Sequence, residues 1–358
     1  MTDSLVKIAD LHVHFRNMDY EKFACMLDDI HMEGVTDVGL QSLPYRGAAE
    51  NLFALYMKLK YKKMSLSAFG GLHITDRYAK VAPEVVAKAL WELGCDGIKL
   101  MFSPDMESYT GMGLDHPYYD KMFTYLEENR IPVVIHLADP EEFWNKGGRY
   151  DNPKIPTKEK MYKEAFRMLD KHPRLRVCFA HFMFLSAFPK EAERVMETYP
   201  NLSLDLTPGM EMNVNFSKNV PVWREFFEKY KKRIFFGTDC GPRKNYNRTL
   251  ERLVYRMLSE KGEFCPECFH VEKVTGLGLS EETVKTISYD NYFDFVGKEP
   301  REVNMEMFKA SLERIISDLD NEPYDEYYVR GGELIADLKA DPEQRISYNF
   351  CKMALETI

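Results

Sequence analysis

Eight short runs rich in β-branched and aromatic residues, each followed by a stretch with apolar residues at helical spacing, constrain this chain more than any other feature. The runs are KIADLHVHF, VTDVGLQSL, LSAFGGLHI, CDGIKLMFS, IPVVIHLAD, RVCFAHFMF, NLSLDLTPG and RIFFGTDC. Between them lie amphipathic stretches such as YEKFACMLDDIHMEG, APEVVAKALWELG and TKEKMYKEAFRMLDKHP. Strand and helix alternating in this way predict an α/β fold, a (β/α)8 TIM barrel, whose reactive groups sit at the C-terminal ends of the strands. A doubly wound sheet competes, but no glycine-rich phosphate loop follows the first strand. The barrel is expected over residues 1–297. Residues 298–358, with MEMFKASLERIISDLD and RGGELIADLKADPEQRISYNFCKMALE, are expected to form a helical C-terminal extension that covers the barrel or makes a homodimer contact.

A chain of 358 residues, 45% apolar and 29% charged, can bury a core of that size. Lys plus Arg is 48 against 57 Asp plus Glu, so the net charge of -9 argues against nucleic acid as a partner and for a small molecule. The N-terminus MTDSLVKIADLHVHF is not a signal peptide, and no window is apolar for long enough to cross a bilayer, so a cytoplasmic protein without a membrane partner is expected. Seven scattered cysteines then read as free thiols. Cys265 and Cys268 in CPEC lack a second pair for a zinc ribbon and read as a turn into a helix, with redox chemistry as the weaker alternative.

Period-two alternation places Asp10, His12 and His14 on one face of the first strand, with Leu11 and Val13 on the other. The two imidazoles are then about 6.6 Å apart along the strand and can converge on one ion. The same rule turns Ile98, Leu100 and Phe102 towards the helices and Lys99 into the barrel, and turns His136, Asp205, Thr207 and Asp239 inward. His181 falls at the end of the sixth strand and His73 near the end of the third. His12, His14, His136, His181 and Asp239 thus form a ring at the barrel mouth. One inward histidine could be a satisfied core residue, but five convergent polar groups would each need a partner once buried. Imidazoles with a carboxylate and room for water suit one divalent metal, zinc first and manganese as the alternative.

The motifs DLHVH, GIKL, VIH, AH and FFGTD, in this order over residues 7–297, resemble the amidohydrolase superfamily, in particular the amidohydrolase 2 branch that includes aminocarboxymuconate-semialdehyde decarboxylase. The resemblance implies that His12, His14, His136 and Asp239 bind one metal. It implies further that His181 polarises the substrate or moves a proton, and that Asp239 also accepts a proton from the attacking water. GTDCGP departs from the aromatic residue and proline that often follow GTD in the family, and the extension is longer than the resemblance leads one to expect. Cys240 beside Asp239 is expected to face the helices.

This constellation supports metal-dependent hydrolysis of an amide, ester or lactone. It supports equally a metal-dependent decarboxylase, a lyase acting on an aromatic or muconate-like acid. A metal-free or non-catalytic ligand-binding barrel is the third reading. Lys99 is either a carbamylated bridge between two metals, as in other branches, or a lysine paired with Asp10 or a neighbouring carboxylate, and the second is favoured. Arg16, Arg46, Arg149 and Arg243 lie in expected strand-to-helix loops, where arginine suits bidentate capture of a substrate carboxylate, and His73 and Lys99 complete the substrate-binding candidates. Trp144 and Tyr150 read as substrate walls or as the local core of the long fifth loop.

Overall fold

The computed structural model describes residues 6–43, 49–72, 81–242, 247–269, 271–321, 328–330, 333–335 and 342–358. Its centre is a sheet of eight parallel strands, β1 (Ile8–Val13), β2 (Val35–Gln41), β3 (Ser65–Gly71), β4 (Gly97–Phe102), β5 (Val133–Leu137), β6 (Val177–Phe179), β7 (Leu202–Asp205) and β8 (Ile234–Phe235). They pair in sequence order. Backbone bonds from Leu11 N to Phe236 O (3.0 Å), Asp239 N to His12 O (2.8 Å) and His14 N to Cys240 O (2.8 Å) join the first strand to the chain around the last. The expected TIM barrel is present.

The helices form where the sequence offers both an apolar stripe and a terminus. The helix Pro83–Leu93 starts on a proline, whose missing N–H costs nothing at that position, and ends on Gly94 at φ 106°. The helix Lys158–Lys171 starts where Thr157 accepts a hydrogen bond from Lys160 N. Their apolar faces pack against Ile98, Leu100, Phe102, Val133, Ile135 and Leu137, which face outward as the alternation requires. Inside the barrel, Ala9, Leu11, Phe69, Val134, Cys178 and Phe235 form a second cluster with Tyr292 and Phe295 of the helix Asn291–Val296. That helix is tied beneath the strands: Arg176, just before β6, donates to Phe295 O, and Asn291 donates to Ile234 O at the start of β8. The lower end is therefore filled, and polar groups can gather only at the upper one.

Strict alternation fails on β1. The pairing with β2 shifts register between Asp10 and Val13, so Leu11 lies in the interior cluster while its neighbour His12 also reaches Asp205 across the barrel. Asp10 consequently does not share a face with His12. It accepts a hydrogen bond from Thr238 and lies beside Glu251 on the helix Asn247–Ser259.

Two further expectations change. CPEC does not enter a helix; it joins the antiparallel strands Lys261–Phe264 and Val274–Leu277. The segment after residue 298 is not wholly helical, because an antiparallel pair, Tyr328–Arg330 with Glu333–Ile335, lies between the helices Met305–Asn321 and Pro342–Thr357. Arg301 N donates to Asp96 Oδ1 at 2.6 Å and its guanidinium lies 3.5 Å from the centre of the Trp91 ring. Phe350 packs edge-on against Phe53 (5.3 Å) and Tyr56 (5.5 Å) of the helix Glu50–Lys60. The described helices of the extension thus lie against outer helices of the barrel. No helix among the described residues is long and apolar enough to cross a membrane.

Candidate metal centre

The register shift on β1 presents His12 and His14 together at the upper rim. His12 Nδ1 lies 2.8 Å from Asp205 Oδ2 and His14 Nδ1 lies 2.8 Å from Gln41 O. Both acceptors call for a proton on Nδ1, which leaves each Nε2 as a lone-pair donor, a tautomer assignment made from these partners. The two Nε2 atoms are 3.1 Å apart, and Asp239 Oδ1 is 3.4 Å from that of His14. His12, His14 and Asp239 each offer a ligand atom within 4.8 Å of one another. Two lone pairs facing each other beside a carboxylate are a poor arrangement by themselves and a good one around a cation, so this donor set fits a divalent metal.

Asp205 organises the centre, although inward alternation on β7 was its only signal in the sequence. Fully buried, it accepts from His12, from His181 N at 2.8 Å and from Thr207 N at 3.1 Å. Burial alone would raise its pKa, but the His12 imidazole and its hydrogen bond, with His181 and Thr207, hold it down at about 2. Gly237 makes room for this contact: a Cβ there would come within 2.8 Å of Thr207 Oγ1 and 3.2 Å of His12 Cβ.

His181 begins a left-handed turn in which His181, Phe182, Met183 and Phe184 have φ of 56°, 54°, 51° and 50°. Four non-glycine residues in this region cost about 1–2 kcal/mol each. Phe182 offsets part of that by burying its ring among Phe216, Trp223 and Phe227. The turn sets the His181 ring 5.6 Å from His12 and 4.9 Å from His136, with Phe184 stacked on it at 5.2 Å. Burial, then His136 and His12, push the His181 pKa down to about 3, so the imidazole is neutral near pH 7.

His136 stands beside His181, outside the group of three that converges within 4.8 Å. Its Nε2 is buried without a hydrogen-bond partner, 3.7 Å from Asp139 Oδ1. An orphaned imidazole nitrogen beside His181, whose ring in turn neighbours His12, is consistent with a further ligand position.

Lys99 is buried, with Nζ 3.1 Å from His12 Nε2. Neither Asp10 nor another carboxylate bonds it directly among the described residues, which corrects the expected ion pair. Burial lowers its pKa to about 8 against the opposing pull of Asp205 and Asp239. Arg16 has a buried Nη1 without a hydrogen-bond partner. Arg149 is held by Asp105 at 2.6 Å and lies over Tyr150, near Asp139, the carboxylate beside His136. Tyr150 itself is buried against Trp144, whose Nε1 donates to Pro156 O, so these rings form local core. Arg46, His73 and Arg243 lie outside the described residues. Cys240 turns its Sγ to Asn247 O and Glu251 Oε1, facing the helix as expected. Asp10, Cys240 and Glu251 also cluster, and burial raises the pKa of both carboxyl groups.

The model of a family described as amidohydrolase matches residues 27–291. No curated protein matches the chain. Among solved structures, 2,6-dihydroxybenzoate decarboxylase from Rhizobium is 15% identical, with a TM-score of 0.52, over 81% of this chain and 98% of that one. A dihydroxybenzoic acid decarboxylase from Polaromonas sp. JS666, with bound manganese and the inhibitor 2-nitroresorcinol, is 14% identical with a TM-score of 0.50, over 81% of this chain and 96% of that one. A 4-oxalomesaconate hydratase from Rhodopseudomonas palustris is 12% identical with a TM-score of 0.50, over 88% of this chain and the whole of that one.

Proposed function

The chain belongs to the amidohydrolase family, and from that premise we propose that it is a divalent-metal decarboxylase of a small, planar carboxylic acid. The observation that carries the reading is the convergence of His12, His14 and Asp239 beside a neutral His181. The names of the similar structures, two decarboxylases and a hydratase of carboxylic acids, support it. In this reading His12, His14, His136 and Asp239 hold the cation, which supplies Lewis-acid polarisation of a substrate oxygen. Zinc suits the donor set and manganese is found in the Polaromonas enzyme.

Asp205 keeps the proton of His12 on Nδ1, so that Nε2 faces the site. The Nδ1 of His181 is 3.3 Å from Thr207 O, which directs its Nε2 lone pair into the same space. There it holds or moves a proton at a substrate hydroxyl. Decarboxylation takes up one proton at carbon as the bond to the carboxylate breaks and carbon dioxide leaves, and Asp239, one third exposed, is the second group able to carry that proton. The buried, unpartnered Nη1 of Arg16 suits the substrate carboxylate.

Hydrolysis is the second reading, favoured by one observation: the partly exposed Asp239 carboxylate has access to water from which it could take a proton. Incubating metal-loaded protein with dihydroxybenzoates and with lactones, and measuring carbon dioxide against acid release, separates the two. His136→Ala should lose metal and rate together, whereas His181→Ala should retain metal and lose about 100-fold or more in rate. Normal metal content in His136→Ala would overturn the ligand assignment.

A further inference from the structure

A cavity of about 410 Å³ opens between the N-terminal halves of the helices Lys158–Lys171 and Pro189–Thr198, lined by Lys158, Tyr162, Phe166, Phe184 and Phe188 together with charged residues at its rim. It is within the size range of small-molecule sites. Phe184 belongs to both places: it lines the cavity, and its ring stacks on His181.

The charges of the lining differ in burial. Lys163 pairs with Glu159 at 2.7 Å, and Arg194 makes two hydrogen bonds to Glu191, all four side chains being substantially exposed. Lys158 is the buried charge, 8% exposed. Its Nζ lies 5.7 Å from the ring centres of both Tyr162 and Phe184. Its ion-pair partner is Glu141 at 3.3 Å, whose side chain is 64% exposed. An ion pair to so exposed a carboxylate contributes little, and although Glu211 and Glu142 add attraction from further off, a buried ammonium is costly. The aromatic side chains of Tyr162, Phe166, Phe184 and Phe188 give the cavity an apolar lining that suits a flat apolar body. Phe188 is 48% exposed at the rim, apolar surface that a ligand would cover.

We propose that this cavity is a second ligand site, for an aromatic monocarboxylate of one or two rings whose carboxylate meets Lys158 and whose rings lie among the phenylalanines. Of the acidic residues lining the cavity, Glu159 and Glu191 are engaged by exposed cations and Glu141 is the group the ligand displaces, while Glu142 and Glu211 act on Lys158 from further off. The site does not rest on the metal-dependent reading of the barrel mouth. Because Phe184 is shared, a ligand here touches the residue that supports His181.

The test uses the full chain, freed of metal, and the fluorescent probe 2-naphthoate followed by anisotropy and calorimetry. One saturable site is expected. Lys158→Met, which keeps the apolar stem, should weaken binding at least tenfold, Glu141→Gln should strengthen it, and His12→Ala should leave it unchanged. On the unaltered protein, 2-naphthamide should bind at least tenfold more weakly than 2-naphthoate, which keeps the test decisive if a variant fails to fold. No saturable binding, or binding that survives Lys158→Met and disappears in His12→Ala, overturns the proposal; the latter would move the probe to the barrel mouth.

Discussion

Replacing Asp205 by asparagine removes the group that sets the protonation of the centre. The carboxylate accepts from His12 Nδ1, His181 N and Thr207 N. Asparagine keeps one acceptor oxygen, which the two backbone donors require, and turns an amide N–H towards His12. Two donors cannot share that contact, so the imidazole must carry its proton on Nε2, the atom that faces His14 and Lys99. The fold holds Asp205 at about 2 against an ordinary 3.8. At 1.36 kcal/mol per pKa unit, ionised Asp205 therefore stabilises the protein by about 2 kcal/mol. Since the folded value is the lower one, this contribution is present above 3.8 and is lost as the pH falls through about 2. Urea unfolding of metal-free Asp205→Asn near pH 7 should show a loss of about that size, narrowing on acidification. Calorimetric titration with zinc or manganese should show about 10–100-fold weaker binding, the usual effect of losing the partner of a ligating histidine. Asparagine protein that binds metal like the unaltered chain would refute the assignment of Nε2, and unchanged stability would refute the role of the carboxylate.

Other consequences are as direct. Gly237→Ala places a methyl 2.8 Å from Thr207 Oγ1 and 3.2 Å from His12 Cβ, so it should destabilise by about 1–3 kcal/mol in chemical unfolding and weaken metal binding in the same titration. Phe182→Ala empties a fully buried aromatic site that holds the left-handed turn; thermal or urea unfolding should show a loss of about 3–5 kcal/mol, and a smaller loss would mean that the surrounding rings close the space. Glu107 is buried against Glu164 with Lys160 bridging both, and burial raises its pKa above 4.5. The folded state therefore holds a proton that the unfolded chain has released, and stability falls as the pH rises through that window. Glu107→Gln should gain stability relative to the unaltered protein between pH 5 and pH 8, and a constant difference across that range would contradict the shift.

The barrel was legible because its signals are local. Each strand needs only alternation to sort Ile98, Leu100 and Phe102 from Lys99, or Val133 and Ile135 from His136, and each helix carries its own stripe and caps. Position at the end of a strand also marked His12, His14, His181 and Asp239. What depended on partners distant in sequence was not legible. The register shift that separates Asp10 from His12 arises from pairing with β2, and no property of KIADLHVHF encodes it. Asp205 acts on a histidine 193 residues away. Arg149 meets Asp105, 44 residues away in the chain. The left-handed turn at His181 is unfavourable for the residues that adopt it, and only the packing of Phe182 among rings from other elements accounts for it. By itself, then, the sequence determined the barrel and the end of it that carries the polar groups, since periodicity is a property of neighbours along the chain. The tertiary structure decided which polar groups meet, because partnership depends on register, burial and strain, which exist only once the strands have closed.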